Sequence, residues 1–356
     1  MMKLIRVRAL IRKETRQMLR DKSTLTLGVL LPMMLLLLFG FGLSVDVKGV
    51  HVTLARDNSS PVARDLYMNL KLSPYYFTPT IADSWHDAEA MLRSGETKAI
   101  VRVDKDDGIQ IIVNGRDSNT ARIMLRYLEG AVSLWSSATT QPLITAESRV
   151  WYNSALESRY FLVPGVTVLI MTLIGTLLTA LVMAREWERG TYEALAATPV
   201  SRFEILIGKI VPYFALGMVG LSLCLATSAW VFDVPMRGSL ALITAGSAIY
   251  LLVSLGIGLF ISAVVKKQFK AGQIALIFSL LPTMMLSGFV FDLRSVPVVA
   301  YYIAHALPAT WYVDMLQTLF LVGNIWLPTV RDMLVLSAFA VLLMGLAISN
   351  IRKALE

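Results

Sequence analysis

The sequence predicts an α-helical integral membrane protein with six transmembrane helices and an α/β domain inserted on the extracytoplasmic side. Mean hydropathy is +0.62, and 56 % of the 356 residues are hydrophobic against 16 % charged, too apolar a balance for an ordinary soluble domain. Six apolar stretches are of a length to cross the roughly 30 Å hydrocarbon layer. Between the first two, residues 44–160 turn to charged residues and frequent turn formers, the composition of a folded soluble insert.

Lys3, Arg6, Arg8, Arg12, Lys13, Arg16 and Arg20 alternate with Leu4, Ile5, Val7, Leu10, Ile11, Met18 and Leu19. A helix over residues 1–23 would bury its aliphatic edge in the headgroup layer while its cations meet anionic lipid. A cleavable signal is disfavoured, because the charged region is too long and no A-x-A-like site follows. Thr24–Leu43 is the first span, with Pro32 and the Gly40/Gly42 pair offering a kink or a close approach.

Inside the insert, Val50–Arg56 alternates like a strand, Ser60-Pro61 opens a helix to Leu70, and Tyr76–Ile81 is extended. A helix from Asp83/Ser84 stops at Gly95. Lys98–Val103 and Ile109–Val113 flank Asp106-Asp107-Gly108 as a hairpin. Asn119–Ser136 is a third helix and Leu143–Tyr152 is extended. Asp57, Asp104, Asp106, Asp107 and Asp117 lack EF-hand spacing and read as solvated turns, not a Ca²⁺ loop.

Phe161–Met183, Ile210–Val231, Leu240–Val265, Ala271–Val290 and Met333–Ile348 complete the six spans. Lys266, Lys267 and Lys270 mark one inner loop, and Arg352 and Lys353 follow the last span; the short outer loop holds only Arg237. Both termini are therefore expected in the cytoplasm. Residues 291–331, broken by Pro297, Pro308 and Pro328, read as two short helices dipping into the outer leaflet. His305 and Asp314 lie there, the His as a packing or hydrogen-bonding residue.

The second and third spans are separated by a charged island, Arg185–Lys209. Trp187, Tyr192, Leu195, Phe203 and Leu206 recur among polar residues, giving a helix one greasy edge. Thr191 offers an N-cap, Thr198-Pro199 breaks the run, and Ser201 caps a second short helix. From composition alone, a basic loop that only fixes topology is an equal reading.

The order Arg185-Glu186, Arg189-Gly190-Thr191, Glu193, Leu195, Thr198-Pro199 and Gly208-Lys209 resembles the cytoplasmic segment of ABC-2 type permeases, the membrane halves of ATP-binding cassette exporters. The resemblance extends over essentially the whole chain and is nearest the multidrug-type permeases with a large external insert. It implies that about Glu186–Pro199 forms a coupling helix docked in an ATPase subunit, through Glu186, Gly190, Thr191, Glu193, Leu195 and Pro199. It also implies an elbow helix at residues 1–23, an external gate at 291–331, a second permease chain of the same or similar kind, and a bacterial inner-membrane location. A periplasmic adaptor for the insert is compatible with it. ATP and Mg²⁺ would reside in the partner, and no cofactor or metal is expected in this chain.

No G-x-x-x-x-G-K-[ST] occurs, so the chain has no P-loop, and neither H-E-x-x-H, G-x-S-x-G nor a Cys/His cluster is present. Catalysis is not expected. Cys224, the one cysteine, lies in an apolar run as a packing residue. The basic excess, +8, sits beside the spans and signals orientation, not nucleic-acid binding. As delimited above, the spans contain no Asp, Glu, Lys, Arg or His, which speaks against ion-coupled transport.

Two hydroxyl faces are candidates for a translocation path: Thr172, Thr176 and Thr179 on the second span, and Ser279, Thr283 and Ser287 on the fifth. Helix packing is their competing reading, and the resemblance favours the path, with Met284, Met285 and Phe289 as adaptable apolar contacts for lipophilic cargo. A non-transporting scaffold or receptor whose external domain binds a partner is the alternative function.

Overall fold

A computed structural model describes residues 4–42, 50–55, 61–72, 77–94, 96–103, 109–114, 118–139, 158–290, 293 and 296–350. It comprises two compact units, Met1–Leu43 with Glu157–Glu356, and Ser44–Leu156.

In the first unit α1 (Leu4–Arg20) precedes a span built from α2 (Lys22–Leu25), a π turn (Thr26–Leu30) and α3 (Leu31–Gly42). The kink expected at Pro32 is a π bulge. Proline lacks an N–H and crowds the preceding turn; the widened turn, closed by the Leu31 N–H donating to the Thr26 carbonyl, accommodates it.

The second unit holds β1 (Val50–Ala55), α4 (Pro61–Leu72), β2 (Phe77–Ala82), α5 (Trp85–Ser94), β3 (Ala99–Val103), β4 (Ile109–Val113) and α6 (Ser118–Thr139). The strands make one sheet in the order β2-β1-β3-β4. β1 runs parallel to β2 and β3, while β3 and β4 are antiparallel, with Ala99 opposite Val113 and Val103 opposite Ile109. Strand alternation sends Val52, Leu54 and Val101 to one face, where Leu66, Leu70, Met124 and Leu128 of α4 and α6 cover them. Ala55 and Ile100 point to the other face and meet Ala88 of α5. Ser84 starts α5 by accepting from the Asp87 N–H at 3.1 Å. Leu143–Tyr152, the Asp106-Asp107-Gly108 turn and the five aspartates weighed for Ca²⁺ lie outside the described residues, as do Arg352 and Lys353.

The first unit continues with α7 (Ser158–Glu188), α8 (Thr191–Ala196), α9 (Arg202–Trp230), α10 (Leu240–Val265), α11 (Gln268–Leu286), α12 (Val298–His305), α13 (Pro308–Gln317), a second π turn (Thr318–Val322) and α14 (Trp326–Asn350). Among the described residues, six helices are long and apolar enough to cross a membrane: Lys22–Gly42, α7, α9, α10, α11 and α14. α7 is the axis of the bundle, its apolar stretch 94 % buried, whereas those of the first, fifth and sixth spans are 17–22 % buried. Val163, Val166, Ile170, Ile174 and Leu178 of α7 pack among Leu36, Leu216, Leu251, Phe289 and Tyr312.

Two boundaries differ from the sequence reading. The second short helix expected after Ser201 is the first turn of the long α9, because Ser201 and Glu204 form a complete capping box and nothing interrupts the helix afterwards. Pro212 lies within α9 and does not end it. Pro328 was expected to interrupt, yet it is the third residue of α14, where a helix needs no N–H bond. α14 is consequently longer than Met333–Ile348 and takes Arg331 and Asp332 into the helix.

Candidate functional site

The island between the second and third spans is built from the end of α7, a tight turn, α8 and the start of α9. Gly190 occupies the N-cap of α8 at φ +69°, a left-handed conformation that favours glycine, so Thr191 is the first helical residue and not the cap. Tyr192 is buried and packs beside Trp187 with ring centroids 4.0 Å apart. With Leu206 buried and Leu195 half-buried, these residues anchor the underside of α8 to Met183, Ile205 and Leu259. Phe203, assigned to the same greasy edge, is instead half exposed. Burial pushes the Tyr192 phenol up to about 12, against the nearby Arg202 charge and assisted by Glu186.

The outward surface of the island presents Thr191, Glu193, Ala194, Thr198 and Pro199, all exposed. Glu186 does not belong to it. The carboxylate expected to dock a partner is 3 % exposed and bonded inside the chain, to Lys209 of α9 and at 2.9 Å to Lys13 of α1. Glu14 of α1, 1 % exposed, completes the group, 3.3 Å from Lys209 and 3.0 Å from Lys13. Two carboxylates thus share two ammoniums, one of them buried, and the cluster fastens α1 to the ends of both spans that flank α8. Burial works against the Lys13 ammonium, but Glu14 and Glu186 outweigh it and hold its pKa above the ordinary value. The N-terminal helix is further tied by Arg6 donating to the Pro199 carbonyl and by Asp21 meeting Arg185 at 2.5 Å. Partial burial opposes the Asp21 charge, yet bonds from Ser23, Arg185 and Thr24 hold its carboxyl well below the usual range.

Sequence reasoning missed this cluster. Its signals were Glu14, the lone acid in a basic helix, and Lys209, adjacent to an apolar run; neither announces a partner across 195 residues of chain. Glu186, Glu204, Lys209 and Asp332 lie in helices of spanning length, outside the span limits read from the sequence.

On the neighbouring side the Glu188 carboxylate accepts the Gln268 N–H at 3.2 Å, at the start of α11, and Lys266 lies 4.7 Å over the Trp187 ring. The cytoplasmic end expected for α7 is thereby linked to the loop between α10 and α11.

The hydroxyl faces are all buried within the chain. Thr172 bonds the Val168 carbonyl at 2.7 Å and shares a 2.6 Å contact with the Tyr250 hydroxyl. Thr176 and Thr179 donate to the Ser254 and Leu255 carbonyls of α10 at 3.4 and 3.1 Å. A Cβ at Gly258 would lie 2.1 Å from the Thr179 Oγ1, so α10 approaches α7 there as only glycine permits. Ala271, Ala275, Ser279 and Thr283 form the buried stripe of α11, and Ala180, Ala184, Ala271 and Ala275 pack in one cluster with α7 residues. Ser287 bonds the Thr283 carbonyl. Within one chain these six side chains contact helices and not an open cleft, the geometry of the packing reading. Phe289 is buried too, while Met285 is exposed.

At the other end, Arg331 joins Asp314 of α13 at 3.0 Å to Asp332 at 2.8 Å. The His305 Nδ1–H donates to the Tyr301 carbonyl, 2.9 Å away, and the His305 carbonyl accepts the Trp311 Nε1–H at 3.0 Å, a local structural role. Among the described residues no group of His, Cys, Asp and Glu has the arrangement of a metal site.

A bundle of six membrane-length helices with α7 at its axis, interrupted by a short surface helix fixed to two span ends, has the architecture of a multi-pass membrane protein. The model of the ABC-2 family transporter proteins matches residues 22–349, and the chain belongs to that family. It is 39 % identical to the probable multidrug ABC transporter permease YbhS of Escherichia coli K12, over 99 % of this chain and 98 % of that one. It is 26 % identical to the probable multidrug ABC transporter permease YbhR of the same organism, over 89 % and 90 % of the two chains, and 28 % identical to its inner membrane transport permease YhhJ, over 86 % of each. Membership implies an ABC ATPase as partner.

Proposed function

We propose that this chain is the membrane-spanning subunit of an ATP-driven exporter of drugs or other small lipophilic or cationic compounds, located in a bacterial inner membrane. Both termini and α8 lie in the cytoplasm, and the α/β unit lies outside, where a periplasmic adaptor would meet it. ATP and Mg²⁺ are bound and hydrolysed by the separate ATPase, and this chain receives the work. The observation that carries the reading is α8 with the turn that follows it: a six-residue helix with a buried underside, and an outward surface of Thr191, Glu193 and, in the turn, Pro199 left for a partner. Glu193 and Thr191 make the docking contact, Leu195 and Gly190 set the height and angle of the helix, and Glu186 supports it from below through Lys209.

The path requires a second permease chain. The sparsely buried apolar surfaces of the first and fifth spans supply the surface for it, and the Thr172–Thr179 and Ser279–Ser287 faces support that wall from behind. Paired α12 and α13 form the outer gate.

Replacing Glu193 by Lys reverses a charge on the docking face. Co-purification with the ABC ATPase subunit should fall about tenfold, with unchanged membrane insertion. Undiminished retention of the ATPase together with normal efflux would reject the docking assignment.

A further inference from the structure

We propose that a cavity of about 680 Å³ between α1 and the turn joining α7 to α8 binds the phosphate of an anionic phospholipid headgroup. Its lining includes Lys13, Arg16, Arg20, Asp21, Arg185 and Arg189. Asp21 is committed to Arg185, and Glu186, also at the wall, to Lys209 and Lys13. Arg16, Arg20 and Arg189 are exposed and, among the described residues, have no carboxylate partner. Three guanidiniums therefore converge on one concavity without a counter-ion. Guanidinium forks match phosphate oxygens in pairs, so the ligand this charge pattern selects is a phosphate ester.

The position of the cavity selects the source of that phosphate. The first span begins at Lys22, next to Asp21, and the buried apolar run of α7 stops at Ala184, next to Arg185. The cavity thus opens where hydrocarbon gives way to headgroups. Leu19, beside Arg20, is 59 % exposed, and Leu4 and Ile5 on the same helix are exposed as well, which provides apolar surface for acyl chains. A free phosphate would use the arginines and leave these leucines without a role. The inference rests on the cytoplasmic placement of α1 and α8, not on transport.

The test uses the full-length chain in neutral detergent, with thermal unfolding followed against added phosphatidylglycerol, phosphatidylcholine or inorganic phosphate. Phosphatidylglycerol should raise the unfolding temperature saturably, and neither other additive should. In an Arg16→Gln, Arg20→Gln, Arg189→Gln variant, half-saturation should move to about a hundredfold higher lipid. A variant with Arg8→Gln, Arg12→Gln and Lys22→Gln loses the same charge outside the cavity and should shift far less. Lysine at the three cavity positions should recover part of the binding.

Equal losses in the cavity and control variants would mean diffuse attraction to an anionic surface and would overturn the site. A response reproduced by inorganic phosphate alone would overturn the lipid assignment. Unchanged lipid binding with loss of ATPase co-purification would assign the arginines to protein docking and overturn it too. Because the lipid measurement needs neither ATPase nor efflux, its failure is distinguishable from failure of the exporter reading.

Discussion

Replacing Lys209 by Met tests whether the buried charge cluster holds the coupling region together. Lys209 faces Glu14 at 3.3 Å and also bonds Glu186, and all three side chains are nearly inaccessible. At 3.3 Å and an effective dielectric of about 20, one such attraction is about 5 kcal/mol before desolvation is counted. Desolvation of three ions cancels much of that sum, so the intact cluster contributes little net stability. Removing one partner from a buried pair is different, since the other charge stays buried, and typically costs roughly 3–5 kcal/mol. Lys13 limits the loss only partly, being 46 % exposed and the remaining cation for two carboxylates. Unfolding free energy of the purified chain, measured by SDS titration in mixed micelles, should therefore fall by about 3 kcal/mol or more. Adding Glu186→Gln leaves a one-to-one Lys13–Glu14 pair at 3.0 Å and should recover more than half of the loss. A drop of less than about 1 kcal/mol for the single variant, or strictly additive losses in the double variant, would refute the account.

Asp21→Asn should destabilise the chain near neutral pH, and the deficit should shrink on acidification. The Asp21 carboxyl is held low in the folded state, so the folded chain binds fewer protons there; that stability is complete above the unfolded value, about 4, and disappears as pH falls through the folded value. Melting curves from pH 6 downward check the sign, and a deficit that grows on acidification would contradict it. Thr176→Trp should lower the yield of folded chain, because Thr176 is fully buried against α10 and added bulk there costs roughly 1–3 kcal/mol or more; normal yield with blocked efflux would return Thr176 to the path. Cysteine placed at exposed Arg93 should react in intact cells with a membrane-impermeant maleimide, and cysteine at Glu193 should not, with buried Cys224 silent in both.

Much of the architecture was legible because its determinants are local. Apolar length marks the spans, strand alternation in Val52, Leu54 and Val101 marks the insert sheet, and the Ser201/Glu204 spacing marks the start of a helix. What local pattern could not give was how far that helix continues, since α9 runs uninterrupted past Lys209 and its inner end is stabilised by charges on α1 and α7. The hydroxyl faces show the same limit. Periodicity places Thr172, Thr176 and Thr179 on one side of α7, but only the approach of α10 at Gly258 says what that side meets. Glu186 was read from its motif neighbours as part of a surface, and its burial depends on Lys209 and Lys13, which no spacing rule connects to it.

The cluster of Glu14, Glu186 and Lys209 also constrains how the chain is made. Lys209 follows Glu14 by 195 residues, which at about 5–20 residues per second is roughly 10–40 s of synthesis. During that interval Glu14 has only the half-exposed Lys13 beside it and its buried partner Lys209 is still unmade, so the N-terminal helix must wait at the membrane surface with its acid in water. Only when the third span arrives can the acid leave water in company. A ribosome pause or a truncation between residues 186 and 209 would therefore strand a helix that is ready to dock but carries the wrong charge to do so, and that is the species a membrane quality-control protease would meet.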